Sequence, residues 1–164
     1  MEKSILKKEI VSLLCRNARM PENEIAGRLA VSDEEVNSVI LELEKDGVIV
    51  GYTAIVNDEC KSGEVRAIIE VEVQPERDTG FDNVAERLAH FPEVRSVYLV
   101  SGKYDLRLEV VGKSLQDVAS FVAGKLACQD GVKSTATYFL LKKYKESGVQ
   151  FTKEEKHERL KIVP

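Results

Sequence analysis

The sequence lacks the features that mark an exported, membrane-bound or metal-dependent protein. No apolar run exceeds a few residues, and Met1 is followed by Glu2, Lys3, Lys7 and Lys8 rather than by a hydrophobic signal core. Neither export nor membrane insertion is expected, and the expected location is cytoplasmic. The three cysteines, Cys15, Cys60 and Cys128, are odd in number and far apart, which fits reduced thiols better than a disulfide framework. With two histidines, His90 and His157, and no paired Cys or His spacing, a metal site would have to be built almost wholly from carboxylates, so neither metal nor cofactor is expected. An excess of positive charge is missing too: the net charge of −4 is not the footprint of a protein that coats nucleic acid in bulk. What remains is an ordinary globular composition, 43% hydrophobic and 32% charged over 164 residues, enough for one domain or two small ones.

The first third of the chain reads as helices. Leu6, Ile10, Leu13 and Leu14 recur at helical spacing, which predicts a helix from about Ser4 to Asn17. A second helix begins at Pro21, with Glu22 and Glu24 in the dipole-favoured first turn and Ile25 and Leu29 on one face. After the turn Ala30-Val31-Ser32, a third helix carries Val36, Val39, Ile40 and Leu43 at i, i+3, i+4, i+7. Three helices with a tight turn between the last two is helix-turn-helix organisation. Gly47 closes the third helix, and the β-rich stretch VIVGYTAIV (Val48 to Val56) suggests a winged variant.

Asn57 to Glu64, NDECKSGE, is polar and turn-forming, a reasonable domain boundary. Beyond it the pattern is strand (Val65 to Val73), helix (about Thr79 to Phe91), strand (Val94 to Ser101), strand (Tyr104 to Val111), helix (Ser114 to Leu126) and strand (Val132 to Lys142). In the first strand Ala67, Ile69, Val71 and Val73 alternate with Arg66, Glu70 and Glu72, while Val84, Leu88 and Phe91, and Leu115, Val118 and Val122, form single helical stripes. One sheet face covered by two helices gives a ferredoxin-like βαββαβ sandwich, and the whole chain is of α+β class. The expected division is 1–60 for the winged helix-turn-helix with its β linker, 61–142 for the βαββαβ domain, and 143–164 for a charged extension that includes KEEKHERLK (Lys153 to Lys161).

The third helix poses a difficulty for DNA binding. Its charged positions are Asp33, Glu34, Glu35, Glu42, Glu44 and Asp46 against a single base, Lys45. Residues 1–60 hold seven Lys or Arg against twelve Asp or Glu, and residues 61–164 hold seventeen against sixteen, so the half that resembles a DNA reader is the acidic half. Ser32-Asp33-Glu34-Glu35 has the form of a capping box, with Val31 and Val36 placed as its hydrophobic staple. That gives the first-turn acids a structural role; Glu42, Glu44 and Asp46 have none of this kind, since at the C-terminal end they oppose the helix dipole. Phosphate contacts would then fall to Arg28, Arg16, Arg19, Lys3, Lys7, Lys8 and Lys45; Asn37 or Ser38 can reach a base edge, the acids can accept from cytosine N4, and Ser32 is counted among the DNA-binding residues.

Two stretches carry a family resemblance. LELEKDGVIVGYTAIVN (Leu41 to Asn57) is similar to the recognition-helix end and wing, and LVSGKYDL (Leu99 to Leu106) to the effector loop G-[DE]-[YF]-D, of the Lrp/AsnC (leucine-responsive, feast/famine) transcription regulators. The resemblance covers nearly all of residues 1–142. It implies a sequence-specific regulator of double-stranded DNA, modulated by an amino acid or related metabolite and assembled as a homodimer or a higher oligomer such as an octamer. It further implies that Ser32 to Asp46 is the recognition helix. Ser101, Gly102, Tyr104 and Asp105, with Thr135 and Thr137 on the last strand, would line the effector site. Lys103 stands where the family motif has an acid. Read from the residues alone, Gly102 serves equally as the turn residue between two antiparallel strands.

Two other classes of function compete. A metabolite-binding oligomeric module without DNA binding, acting through protein partners, takes the acidic helix at face value. An enzyme is not expected: Glu70 and Glu72 share a strand face, Cys128 and His157 are distant in sequence, and no nucleophile–base–orienter set is visible.

Overall fold

The computed structural model describes residues 2–57, 63–75 and 80–151. They form two compact units, one of the described residues up to Val56 together with Lys145–Gln150, the other of the described residues from Asn57 to Tyr144 with Phe151.

In the first unit α1 (Lys3–Arg16), α2 (Glu22–Leu29) and α3 (Asp33–Lys45) follow the apolar periodicity to within a residue or two of each end. Leu6 and Ile10 of α1, Ile25 and Ala26 of α2, and Val36, Val39 and Leu43 of α3 are buried in one cluster. Each fully buried aliphatic side chain contributes about 1.5–3 kcal/mol. That burial holds together three helices that are each too short to persist alone. Pro21 stands as the N-cap residue of α2 rather than inside it. The tight turn depends on Ala30, which ends α2 in the left-handed region at φ 54°. Ser32 caps α3 by accepting from the Glu35 N–H at 3.2 Å, and Gly47, at φ 69°, turns the chain so that the Val48 N–H reaches the Leu43 carbonyl at 2.9 Å.

The segment after α3 differs from expectation. Residues 48–57 form no strand, although their composition is β-rich. A strand needs a neighbour in a ladder, and among the described residues neither sheet includes any part of this segment. Val48, Val50 and Tyr52 are accordingly exposed, Val50 by 94%.

The second unit is the βαββαβ sandwich. β1 (Val65–Val73), α4 (Asp82–Ala89), β2 (Val94–Leu99), β3 (Leu106–Gly112), α5 (Leu115–Phe121) and β4 (Val132–Phe139) come in that order, and the strands are arranged β2-β3-β1-β4 with every neighbour antiparallel. The expected start of α4 at Thr79 lies outside the described residues. Ala67, Ile69, Val71 and Val73 on β1 and Leu106, Leu108 and Val110 on β3 bury against Val84 and Leu88 of α4 and Val118 and Phe121 of α5. The helical stripe on α5 is not the expected one. Leu115 is exposed, and the chain continues past Phe121 as a π-helical turn, Val122–Leu126, that brings Leu126 into the core. Widening by one residue shifts the buried position.

Within the stretch expected as an extension, β5 (Lys145–Glu146) and β6 (Val149–Gln150) pair as a hairpin across Ser147 and Gly148, both at positive φ. The residues Lys153 to Lys161, with His157, lie outside the described residues. No helix among the described residues is long and apolar enough to cross a membrane, and none of their His, Cys, Asp and Glu side chains form a group of three or more placed to hold a metal ion.

Candidate functional site

The acids of α3 have partners, and those partners decide which face of the helix is free. Glu42 accepts from the ammonium groups of Lys3 at 2.8 Å and Lys7 at 3.0 Å. Asp46 lies 3.4 Å from Lys7, and Glu44 accepts from the Tyr52 hydroxyl at 2.9 Å. The lack of a structural role read from the sequence for these three acids is therefore corrected. Two of them clamp α3 to α1, and the third ties the following segment back onto α3. The electrostatics agree: the Lys3 and Lys7 ammonium groups hold the Glu42 carboxyl below the usual range, and Glu42 holds Lys7 above its own. At the other end only half of the capping box is made among the described residues. Ser32 caps Glu35, while it is Glu34 whose carboxyl is lowered, by its own backbone N–H and by the Ser32 hydroxyl.

With the flanks occupied, the outward face of α3 consists of Glu34, Asn37, Ser38, Leu41 and Lys45, all exposed and spaced by three or four residues so that they share one stripe. Asn37, Ser38 and Lys45 are thus brought onto one face. Arg16 ends α1 and Arg19 follows in the α1–α2 turn, both exposed. Arg28 pairs with Glu24 one helical turn earlier at 2.7 Å, and the Ser32 hydroxyl is engaged in the cap. Lys3 and Lys7, two of the cations expected to reach phosphate, are committed to Glu42 and Asp46.

On the second unit, Ser101 to Asp105 form the loop between β2 and β3, closed by the Val100 N–H donating to the Asp105 carbonyl at 2.9 Å. Asp105 is anchored to β1: its N–H donates to the Val71 carbonyl at 3.1 Å, and its carboxylate accepts from the Val73 N–H at 2.9 Å. Gly102 is not in the left-handed region, and a Cβ built on it would meet nothing within 4 Å. Neither backbone nor packing therefore demands glycine there, and the space over the loop is open. Lys103 lies over the Tyr104 ring, 5.3 Å from its centre.

Register decides which residues of β4 can join that loop. Tyr138 and Ala136 oppose Ile68 and Glu70 on the face that the helices leave uncovered, whereas Thr137 and Thr135 oppose the buried Ile69 and Val71 on the helix-covered face. The Glu70 carboxylate raises the Tyr138 phenol above its usual value, helped by burial and by the nearby Tyr104. Within one chain, then, the loop is associated with Tyr138 and Glu70, and Thr135 and Thr137 stand on the other side of the sheet. Sequence reasoning missed Tyr138 and Glu70. The strand alternation was the available signal, but it places them together only once the β1–β4 register is known.

Comparison with known proteins agrees with this two-part organisation. The profile of the Lrp/AsnC ligand binding domain matches residues 66–150, and that of a winged helix-turn-helix DNA-binding domain matches residues 3–50. The chain is 43% identical to the HTH-type transcriptional regulator YugG of Bacillus subtilis over 95% of both chains. It is 32% identical to the HTH-type transcriptional regulator LrpA of Pyrococcus horikoshii over 84% of this chain and 96% of that one. Among solved structures, a transcriptional regulator of Neisseria meningitidis in complex with L-Met matches at 25% identity and a TM-score of 0.69, covering 86% of this chain and 91% of that one. The chain belongs to the Lrp/AsnC family of transcriptional regulators: it is not an enzyme but a DNA-binding protein with a winged helix-turn-helix and a small-molecule ligand-binding domain.

Proposed function

We propose that α3 is the recognition helix, presenting Asn37, Ser38 and Lys45 to base edges in the major groove while Arg16 and Arg19 contact phosphate. The observation that carries this reading is the pairing of Glu42, Asp46 and Glu44 with Lys3, Lys7 and Tyr52, which leaves Glu34 as the single acid on the outward stripe. Arg28 joins the phosphate contacts by exchanging its exposed partner Glu24, since a solvated pair of this kind holds weakly. The Ser32 hydroxyl acts through the cap, fixing where the helix begins.

The effector is an amino acid or related metabolite held at Ser101, Gly102, Tyr104 and Asp105. The open space over Gly102 admits it to the backbone, and the Asp105 oxygen not used by Val73 accepts from its ammonium group. The L-Met bound to the Neisseria relative supports this ligand class. Lys103, stacked on Tyr104, favours a ligand with a free carboxylate. The protein works in the cytoplasm as a homodimer, or a higher oligomer such as an octamer, joined through the uncovered sheet face. On that face Ile68, Tyr98 and Tyr138 lie beside the Arg66–Glu109 ion pair. Thr135 and Thr137 join an effector site only where a second subunit brings its own loop to their side of β4.

Fluorescence anisotropy on DNA from upstream of its own gene, over a salt series and beside random DNA, tests the reading. Saturable, sequence-preferring binding that weakens in the double variant Arg16→Gln, Arg19→Gln is expected. Absence of binding at low salt from folded, oligomeric protein would instead favour a metabolite-binding module that acts through protein partners.

A further inference from the structure

Leu41 stands at the centre of the outward stripe of α3, one turn beyond Asn37 and Ser38 and one turn before Lys45, and it is 59% exposed. Packing within its own unit gives this apolar side chain no partner. It is absent from the cluster that buries Val36, Val39 and Leu43, and from the partly buried side chains packed around it. One leucine framed by an amide, a hydroxyl and an ammonium group is also far smaller than the contiguous apolar patch that marks a protein-docking surface. The surface it does fit is one with a single apolar group among hydrogen-bonding edges. The major groove is such a surface: each A·T pair offers the adenine N6 and N7 and the thymine O4 together with the thymine C5-methyl.

We propose that Leu41 is a specificity-determining residue that reads a thymine methyl group, with Asn37 and Ser38 on the neighbouring base edges and Lys45 fixing the helix beyond it. The inference rests on the assignment of α3 as the recognition helix. It adds a preference that the polar residues of the stripe cannot supply, because amides and hydroxyls do not distinguish a methyl from a hydrogen. The occupied flanks strengthen it. Glu42 and Glu44, which follow Leu41 on the two flanks of the stripe, are paired with Lys3, Lys7 and Tyr52, so the methyl contact is not crowded by carboxylates that would repel the adjoining phosphates.

The test uses the full-length protein and a duplex selected by it from a random-sequence pool. Each thymine is replaced singly by deoxyuridine, which removes the methyl group and leaves the hydrogen-bonding edge unchanged. At one position in each half-site the wild type should bind the uracil duplex about four- to fifteenfold more weakly, the scale of burying one or two methyl-sized groups. Leu41→Ala should bind both duplexes equally, and Leu41→Met, which keeps the reach, should restore the preference. Thymine preference that survives in Leu41→Ala, or wild-type binding indifferent to every replacement, would overturn the inference. Asn37→Ala measured alongside separates the two levels of the argument. If it weakens specific binding while Leu41→Ala leaves the methyl preference intact, the Leu41 inference fails alone; if neither variant alters specific binding, the recognition-helix assignment fails with it.

Discussion

On the helical unit, Glu42, Glu44 and Asp46 are each answered by a side chain from the same unit. On the sheet unit, Tyr98 and Arg107 lie opposite each other on neighbouring strands, both exposed and with no ion pair to Arg107 among the described residues. The helical unit neutralises its own flanks and leaves a narrow stripe of mixed polarity, suited to the graded chemistry of a groove. The sheet unit buries one face under α4 and α5 and leaves the other as a broad surface of charge and aromatic rings, suited to another protein surface. Net charge conceals this difference. The helical part is the more acidic, yet its outward stripe holds one acid and one base.

The largest effects should come from the two cores, and they test whether the units are separable. Leu43→Ala and Leu108→Ala each remove a buried side chain, and each should cost about 2–5 kcal/mol in its own unit. Followed by denaturant unfolding alongside DNA and ligand titrations, Leu43→Ala should abolish DNA binding while ligand binding persists, and Leu108→Ala should disrupt ligand binding first. Loss of both activities in both variants would mean that the units fold as one.

A smaller effect distinguishes anchoring from recognition in the β2–β3 loop. Asp105→Ala removes the acceptor of the Val73 N–H, and should lower stability by about 1–3 kcal/mol as well as weakening amino-acid binding. Gly102→Ala should leave stability within about 0.5 kcal/mol, because nothing lies near the added Cβ. A loss of ligand affinity in Gly102→Ala, read by calorimetry, would therefore report on approach to the backbone and not on folding. Unchanged affinity would remove the loop from the effector site.

The smallest effect concerns the turn between α2 and α3. Ala30 adopts a left-handed conformation at φ 54°, which glycine reaches without steric cost. Ala30→Gly should therefore stabilise the unit by no more than about 1 kcal/mol, read as a higher denaturant midpoint.

Much of this architecture is written locally in the sequence. The spacing of Val36, Val39 and Leu43 marks the buried side of α3, and the alternation along Val65–Val73 marks the two faces of β1; both are properties of adjacent residues. The features that resisted reading are long-range. Lys7 and Asp46 are 39 positions apart, so nothing in the helix sequence shows that its acids are paired, and α3 reads as more hostile to phosphate than it is. The Glu70–Tyr138 association depends on the β1–β4 register, and the shift of the α5 stripe to Leu126 depends on a π-turn that helical periodicity does not contain. The segment after α3 has the composition of a strand, yet its described residues enter none. For the candidate sites the same division holds. The exposed positions Asn37, Ser38 and Lys45 follow from periodicity, while the face on which Thr135 and Thr137 stand does not.

The central claim is that the α1 lysines hold the α3 acids away from DNA, and the most direct measurement is the salt dependence of DNA affinity for the double variant Glu42→Gln, Asp46→Asn. Freed from their partners, Lys3 and Lys7 should add phosphate contacts, tightening binding to random DNA roughly tenfold at low salt and steepening the salt slope by about one to two per bound subunit. Weaker binding, or a slope unchanged from the wild type, would contradict the account and place those carboxylates among the groups that contact the duplex.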